Sequence, residues 1–222
     1  MVERSLPERQ LTRRGSGEQA AVYIRRLIFD GYLKPGDRVH QDDVAKALGI
    51  SRIPVREALV ALEQQGWVTL EPNRGAFVTS LDEQAVHDHY ELYGIIYGFA
   101  AKRALERSDS ALGDKLTQLA ADFAAANEPR GAQAIAIEFH SAVLDAAASP
   151  RIQVVLRGLS AMVPGRFYLR VPEAMTRQRA GFAEIADAVA RDDADRATIA
   201  YTSMLRDVGT EVVRLFRKRG LF

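Results

Sequence analysis

The chain has 222 residues, of which 47% are hydrophobic and 27% charged, and its formal net charge is +1. This is an ordinary globular composition for one large or two small domains, and the charge alone does not identify a nucleic-acid-binding protein. The sequence has no cysteine, which excludes disulfides, thiolate metal sites and a cysteine nucleophile and fits a cytoplasmic protein. No apolar run approaches a membrane span and no signal peptide opens the chain, so we expect no membrane partner.

The N-terminal part of the chain alternates short helical segments with turns. Residues 1–16 lack apolar periodicity, which predicts a mobile arm. From Gly17, apolar residues recur at helical spacing as far as Gly31, which predicts a first helix. A turn at residues 34–37 then precedes a second short helix, which ends at Gly49.

The stretch SRIPVREAL, residues 51–59, predicts the start of a third helix. Ser51 is suited to cap this helix by accepting a hydrogen bond from a first-turn N–H group. Pro54 falls in the first turn, where a missing N–H costs little. Arg52 and Arg56 are four residues apart and therefore project from one side of the helix.

Two short β runs follow at residues 67–70 and 76–78, with a turn at 71–75 between them. Two short helices, a third helix and a hairpin make a winged helix-turn-helix, whose third helix enters the DNA major groove with its N-terminal end leading. The two arginines would then contact base edges or phosphates. The alternative is a solvated helix face on which Arg56 and Glu57 form surface ion pairs.

The remainder of the chain, residues 82–219, is almost wholly helical by pattern and rich in Ala and Leu. Five to seven helices fit this length, with breaks that include residues 108–109 and 164–165. The predicted fold class is therefore mainly α. A winged helix-turn-helix domain at residues 17–80 precedes an all-α antiparallel helical bundle within residues 81–222.

Several motifs of residues 17–80 resemble the DNA-binding domain of the GntR family of bacterial transcription regulators. They are GYLKPG at 31–36, LGISRIPVREAL at 48–59, QGWV at 65–68 and NRGAFV at 73–78. The resemblance implies that Ser51, Arg52 and Arg56 are recognition-helix contacts and that Pro54 stiffens the leading turn. It also implies a wing of Asn73, Arg74 and Gly75 along the minor groove or backbone. The expected partner is a palindromic double-stranded operator bound by a homodimer.

The helical remainder resembles the ligand-sensing FCD domain of the FadR-like subgroup. Many FCD domains hold a metal with an Asp-x-x-x-His pair and two further histidines. Here His140 is present, but Ala136 stands four residues before it, Phe182 replaces the next histidine, and the final histidine position falls on or near Met204. Since alanine and phenylalanine bind no metal and one imidazole does not hold an ion alone, we expect neither a metal nor a cofactor.

The first helix of the bundle departs from the resemblance as well. Tyr93 and Tyr97 stand where subgroup members commonly carry Arg and Glu. Together with Ala136, His140, Phe182 and Met204, they predict an apolar and aromatic ligand-binding cavity. A buried carboxylate without a metal or a matched arginine is costly. The expected effector is therefore a small, largely apolar metabolite anchored by His140 and the tyrosines, and its binding would release a repressor from the operator.

Other interpretations stay open at this point. One is a filled core, in which Phe182 and Met204 occupy the metal volume with their own side chains and His140 is a satisfied core histidine. The alternative functions are a metal-dependent sensor of a small carboxylic acid and a DNA-binding protein whose helical domain has lost ligand sensing. An enzyme is not expected, because the chain lacks a Gly-rich phosphate loop, a nucleophile elbow and paired histidines.

Overall fold

The computed structural model describes residues 15–80, 82–107, 111–160 and 167–222. Residues 1–14 of the predicted arm, and the helix breaks predicted at residues 108–109 and 164–165, lie outside the described residues. Helix α1 begins at Ser16, one residue before the predicted start of the first domain. The described part of the chain contains no helix that is both long and apolar enough to span a bilayer.

The N-terminal domain is a three-helix unit with a small sheet. Its elements are α1 (Ser16–Phe29), β1 (Arg38–Val39), α2 (Gln41–Leu48), α3 (Arg52–Gln64), β2 (Val68–Glu71) and β3 (Gly75–Val78). The sheet is antiparallel in the order β1-β3-β2, and Phe77 of β3 pairs with Arg38 on one side and Thr69 on the other. The hairpin confirms the winged helix-turn-helix, whereas strand β1 was not predicted because two residues carry no readable alternation.

The elements of the C-terminal domain among its described residues are all helices. Its elements are α4 (Glu83–Arg107), α5 (Ala111–Ala125), α6 (Pro129–Ala147), α7 (Pro150–Leu159), α8 (Phe167–Arg170), α9 (Pro172–Ala190) and α10 (Ala194–Arg219). These elements confirm the prediction of a mainly α fold. Pro129, Pro150 and Pro172 each lie in the first turn of a helix, where their missing N–H groups need no partner.

The long helices α4 and α10 pack along one another at very close range. A Cβ atom added at Gly94 would lie 2.8 Å from the Cα of Thr202, and one added at Gly98 would lie 2.9 Å from the Cα of Thr198. The two glycines therefore allow backbone-to-backbone approach, and this helix pair forms the spine of the bundle.

The two domains meet between the end of α1 and the end of α10. The ring of Phe29 lies 4.9 Å from that of Trp67 and 5.4 Å from that of Phe216, so one aromatic cluster bridges both domains. Asp30 accepts two hydrogen bonds from the guanidinium of Arg170, one of them 3.2 Å long from Nη2 to Oδ2. Because both side chains are less than a quarter exposed, this pair fixes the orientation of the domains more firmly than a surface pair would.

Candidate functional site

The N-terminal end of α3 is exposed and only partly capped. Ser51 occupies the predicted N-cap position with extended backbone, but its side chain makes no capping hydrogen bond. The prediction of the position is confirmed, and the prediction of the bond is wrong. Pro54 is half-buried in the first turn, as predicted. First-turn N–H groups at a positive helix end are consequently available to an anion such as a DNA phosphate.

Arg52 and Arg56 both project from this exposed end of α3. Arg52 is held by Asp42 of α2, whose Oδ2 accepts a hydrogen bond from Nη2 at 2.6 Å. Both side chains of this pair are mostly exposed, so it contributes about 0–1 kcal/mol and can be exchanged for a DNA contact. Arg56 has no ion-pair or hydrogen-bond partner among the described residues, so it does not join the surface ion pairs of the alternative interpretation.

Sequence reasoning missed Ile53, which lies between the two arginines. Its side chain is 70% exposed, unlike those of Val55 and Leu59, which pack into the domain core. A large apolar group on the leading turn of α3 is suited to contact a thymine methyl group. Helical periodicity could have found it, because Ile53 falls off the stripe that Val55 and Leu59 define.

The wing turn between β2 and β3 carries Arg74 and lies beside Arg38 of β1, next to Gly75. Asn73 and Gly75 both have positive φ, and Arg74 pairs with Glu71 while its guanidinium lies 5.6 Å from the ring centre of Phe77. A Cβ atom at Gly75 would lie 3.1 Å from Nε of Arg38. Gly75 thus makes room for an arginine of the same chain, in addition to any approach to DNA.

Arg38 is the second residue that sequence reasoning missed at this surface. It is exposed on β1, and it has no partner among the described residues. Its position depends on the pairing of β1 with β3, which no local sequence pattern reveals. An exposed, uncompensated guanidinium next to the wing is suited to contact a phosphate.

A cleft of about 290 Å³ opens between α4, α6 and α7 of the helical domain. Its lining residues are Tyr93, Tyr97, Ser141, Leu144, Asp145, Gln153, Leu156, Arg157 and Ser160. The two tyrosine rings form its inner wall and meet edge to face, with 5.0 Å between their centres. Arg157 lies at its outer side, so an arginine that the sequence did not reveal is available to a ligand there.

The other four predicted ligand residues lie deeper, behind the tyrosines, and do not line this cleft. Phe182 is fully buried between Phe139 and Phe123, at ring-centre distances of 4.4 and 4.7 Å. Met204 fills the space beside Gly181, where a Cβ atom would lie 2.5 Å from its Cγ. Ala136 is also buried in this region. Their roles as ligand contacts stay predictions, and the packing matches the interpretation that side chains fill this volume.

His140 connects the cleft to this core. Its ring lies 4.6 Å from that of Tyr97 and 5.9 Å from that of Tyr201. Its Nδ1 and the hydroxyl of Tyr201 are buried, and neither has a hydrogen-bond partner within the described ranges. Burial lowers the pKa of His140 to about 4, so the imidazole is neutral at physiological pH. Two buried polar atoms without partners, on neighbouring rings, favour a bound polar group or water.

The donor set around His140 does not fit a metal ion. Within the described ranges, no group of three or more His, Asp or Glu side chains is placed to hold one. The neighbours of the imidazole are aromatic rings, including Tyr97 and Phe182. Burial also raises the pKa of the Tyr97 hydroxyl well above its ordinary value, so a phenolate ligand is not available either.

Comparison with known families matches both domains. The model described as bacterial regulatory proteins, gntR family, matches residues 16–78, and the model of the FCD domain matches residues 88–207. An uncharacterized HTH-type transcriptional regulator of Mycobacterium tuberculosis is 29% identical over 205 residues, which is 92% of this chain and 84% of that protein. The Nta operon transcriptional regulator of Aminobacter aminovorans is 34% identical over 77 residues, 35% of this chain and 37% of its own.

Solved structures show the same two-domain architecture. A putative GntR transcriptional regulator from Rhodococcus sp. RHA1 is 25% identical, with a TM-score of 0.54, and the match covers 89% of this chain and 97% of that one. E. coli McbR/YncC has a TM-score of 0.63 over 93% of this chain and 99% of its own, and at 20% identity it supports the fold alone.

Proposed function

Because the chain belongs to the GntR family of bacterial regulatory proteins and carries an FCD domain, we propose that it is a cytoplasmic, ligand-responsive repressor. It binds a palindromic operator as a homodimer and leaves it when a small metabolite binds the helical domain. The observation that carries this proposal is the exposed end of α3, where Arg56 has no partner in the described part of the chain and the first-turn N–H groups have no side-chain cap.

The chemistry of the DNA contact follows from the positions of the arginines. Arg56 and Arg52 enter the major groove, where a bidentate guanidinium contact recognises guanine. Arg38 and Arg74 lie beside the wing turn, and they contact the phosphate backbone without reading sequence. One such module reads few base pairs, so two modules related by a two-fold axis are needed for a specific site.

The effector occupies the cleft between α4, α6 and α7. Tyr93 and Tyr97 provide an aromatic wall for an apolar body, and Arg157 provides a charged group at the outer side. A largely apolar molecule with one polar or acidic end fits these walls better than a multiply charged acid. Entry past Tyr97 would also bring a polar group within reach of His140.

The effector cleft shares a wall with a larger space between the domains. Arg157 and Ser160, at the end of α7, line both the effector cleft and a space of about 960 Å³ that α1 and α3 border on the other side. A ligand that holds Arg157 therefore changes the helical-domain wall of this space and, through it, the orientation of the DNA-binding domain. Such a shift in domain orientation alters the spacing of two recognition helices and releases the operator.

The proposal is tested with an operator selected from random DNA by the purified protein. Arg56→Ala should weaken binding by about 1–3 kcal/mol, whereas Arg130→Ala, an exposed arginine on α6, should leave it unchanged. Compounds that raise the melting temperature should then weaken operator binding by the wild type. Selection of no DNA sequence, or equal binding by the Arg56 variant, would contradict the proposal.

A second candidate is a DNA-binding regulator whose helical domain no longer senses a ligand. The observation that favours it is the close packing of Phe182 and Met204 in the volume behind the cleft. Tyr97→Phe and Arg157→Ala separate the two functions. If a compound changes operator binding and neither variant alters that effect, the effector site lies outside the cleft. If no compound changes operator binding by the wild type, this second candidate gains support.

A further inference from the structure

Helix α4 carries an exposed apolar stripe on the face opposite the bundle core. Leu92, Ile95 and Phe99 are 53%, 46% and 42% exposed, and their spacing of three and four residues places them in one row. The opposite face of the same helix, which carries Tyr93 and Tyr97, is buried, and α4 packs against α10 and α6. Three large apolar side chains in one continuous exposed row are typical of an interaction surface.

Charged residues flank this row with opposite signs at its two ends. Asp88 and Glu91 lie at the N-terminal end of the row, and Lys102 and Arg103 lie at its C-terminal end. Glu106 also stands at the basic end, where it pairs with Arg103 of its own chain. The guanidinium of Arg103 lies 4.8 Å from the ring centre of Phe99, so part of the basic end packs directly on the apolar row.

We propose that this face pairs with the same face of a second copy of the chain, with the two α4 helices antiparallel. This inference rests on the proposed homodimer and specifies its contact surface. With the two-fold axis near Ile95, Leu92 of one copy lies opposite Phe99 of the other, and the acidic end of each helix lies opposite the basic end of its neighbour. A parallel pairing would place like charges together, so the charge pattern selects the antiparallel one.

Elsewhere among the described residues, the exposed large apolar side chains do not form such a row. Ile137 on α6 is 58% exposed, more than any member of the α4 row, but the residues three and four positions away from it are small or polar. It therefore provides a matched control, because an identical substitution there changes the same side chain at similar exposure.

The first experiment compares Ile95→Glu with Ile137→Glu in the full chain. Two-fold symmetry places both copies of residue 95 at the centre of the interface, so Ile95→Glu should weaken self-association at least about a hundredfold in sedimentation equilibrium. Ile137→Glu should leave self-association unchanged. Dissociation by Ile137→Glu alone, or an intact dimer in Ile95→Glu, would overturn the proposed surface and indicate that another face or another partner is involved.

The second experiment tests orientation by exchanging charges. Asp88→Lys with Glu91→Lys makes both ends of the row basic, and Lys102→Glu with Arg103→Glu makes both ends acidic. Each variant alone should dimerise about tenfold or more weakly than wild type, since like charges then face each other at both ends. An equimolar mixture should recover wild-type affinity as a heterodimer. Lack of recovery in the mixture would exclude the antiparallel register.

A third measurement, of binding to a DNA fragment with a single half-site, separates a failure of the proposed dimer surface from a failure of the proposed DNA-binding function. The Ile95→Glu variant retains α3 and the wing, so it should bind a half-site fragment as wild-type protein does while losing the preference for the full palindrome. If the variant dissociates but neither protein binds any selected DNA, the surface is supported and the proposed function fails.

Discussion

At the scale of single residues, the arginines on the surface proposed to face DNA differ in whether they have an ion-pair partner. Arg52 is paired with Asp42, whereas Arg38 and Arg56 have no partner among the described residues. A pre-formed pair orients a side chain but must be exchanged on binding, and a free guanidinium loses only solvent and conformational freedom. The sequence revealed Arg52 and Arg56 by their spacing, but not the restraint on Arg52, since the pairing depends on how α2 packs against α3.

Replacing Asp42 by Asn should strengthen operator binding. The change frees Arg52 and removes a negative charge close to the phosphates, so we expect an increase of about two- to fivefold at low salt. Asp43→Asn removes the same charge from the neighbouring position without releasing an arginine, and it should have a smaller effect. Fluorescence anisotropy with labelled operator measures both, and equal effects would show that the pairing with Arg52 is immaterial.

Replacing Arg38 by Ala should weaken binding to specific and random DNA alike. Because we assign Arg38 to a phosphate, the slope of log affinity against log salt should fall by about 1. Arg56→Ala provides the contrast, with a larger loss on the specific site than on random DNA. A sequence-dependent loss for Arg38→Ala would instead assign this side chain to a base.

At the scale of elements, local patterns were sufficient for most helices and for the hairpin, because caps, turns and apolar periodicity are properties of neighbouring residues. They were insufficient for β1, which exists only through its pairing with β3. They also do not determine whether the predicted ligand-binding volume is open. The sequence places Phe182 and Met204 at positions of the metal-binding motif. Whether their side chains fill the volume behind the cleft depends on how five helices pack, which no local pattern shows.

The contact between α4 and α10 depends on glycine. Gly98→Ala would place a Cβ atom 2.9 Å from the Cα of Thr198, and the helices would have to separate. We expect a loss of about 1–3 kcal/mol in the free energy of unfolding, measured by urea denaturation. Gly131→Ala is the matched control, because nothing lies within 4 Å of its added Cβ. There the helix propensity of alanine should stabilise α6 by about 0.5–1 kcal/mol.

At the scale of the whole molecule, the contacts between the DNA-binding domain and the helical domain include the ion pair of Asp30 with Arg170, a hydrogen bond from Arg219 to the Asp30 carbonyl, and an aromatic cluster. The hydrogen bond from Arg170 lowers the pKa of Asp30 in the folded protein. The stabilisation from this pair is therefore fully present above the pKa of an unfolded aspartate, about 3.9. It is lost as the pH falls through the lower value of the folded state.

Asp30→Asn should accordingly lower the stability of the protein by about 1 kcal/mol at neutral pH. The difference from wild type should shrink as the pH falls below about 4, where Asp30 of the unfolded chain takes up a proton, and it should vanish below the lower pKa of the folded state. Asp207→Asn, an exposed aspartate on α10, should show no such difference. The measurement is the melting temperature of wild type and of each variant across this pH range. If Asp30→Asn stays less stable than wild type at low pH, the loss of stability comes from altered packing and not from the lost charge.

Arg157 and Ser160 line both the effector cleft and the space between the domains, so ligand binding and DNA binding are expected to affect one another. If a small molecule lowers the affinity of the protein for its operator by some factor, the operator must lower the affinity for that molecule by the same factor. Protein bound to DNA would then respond only at higher metabolite concentrations than free protein does. The concentration at which a cell senses the metabolite would be set by how much of the regulator is already engaged on DNA.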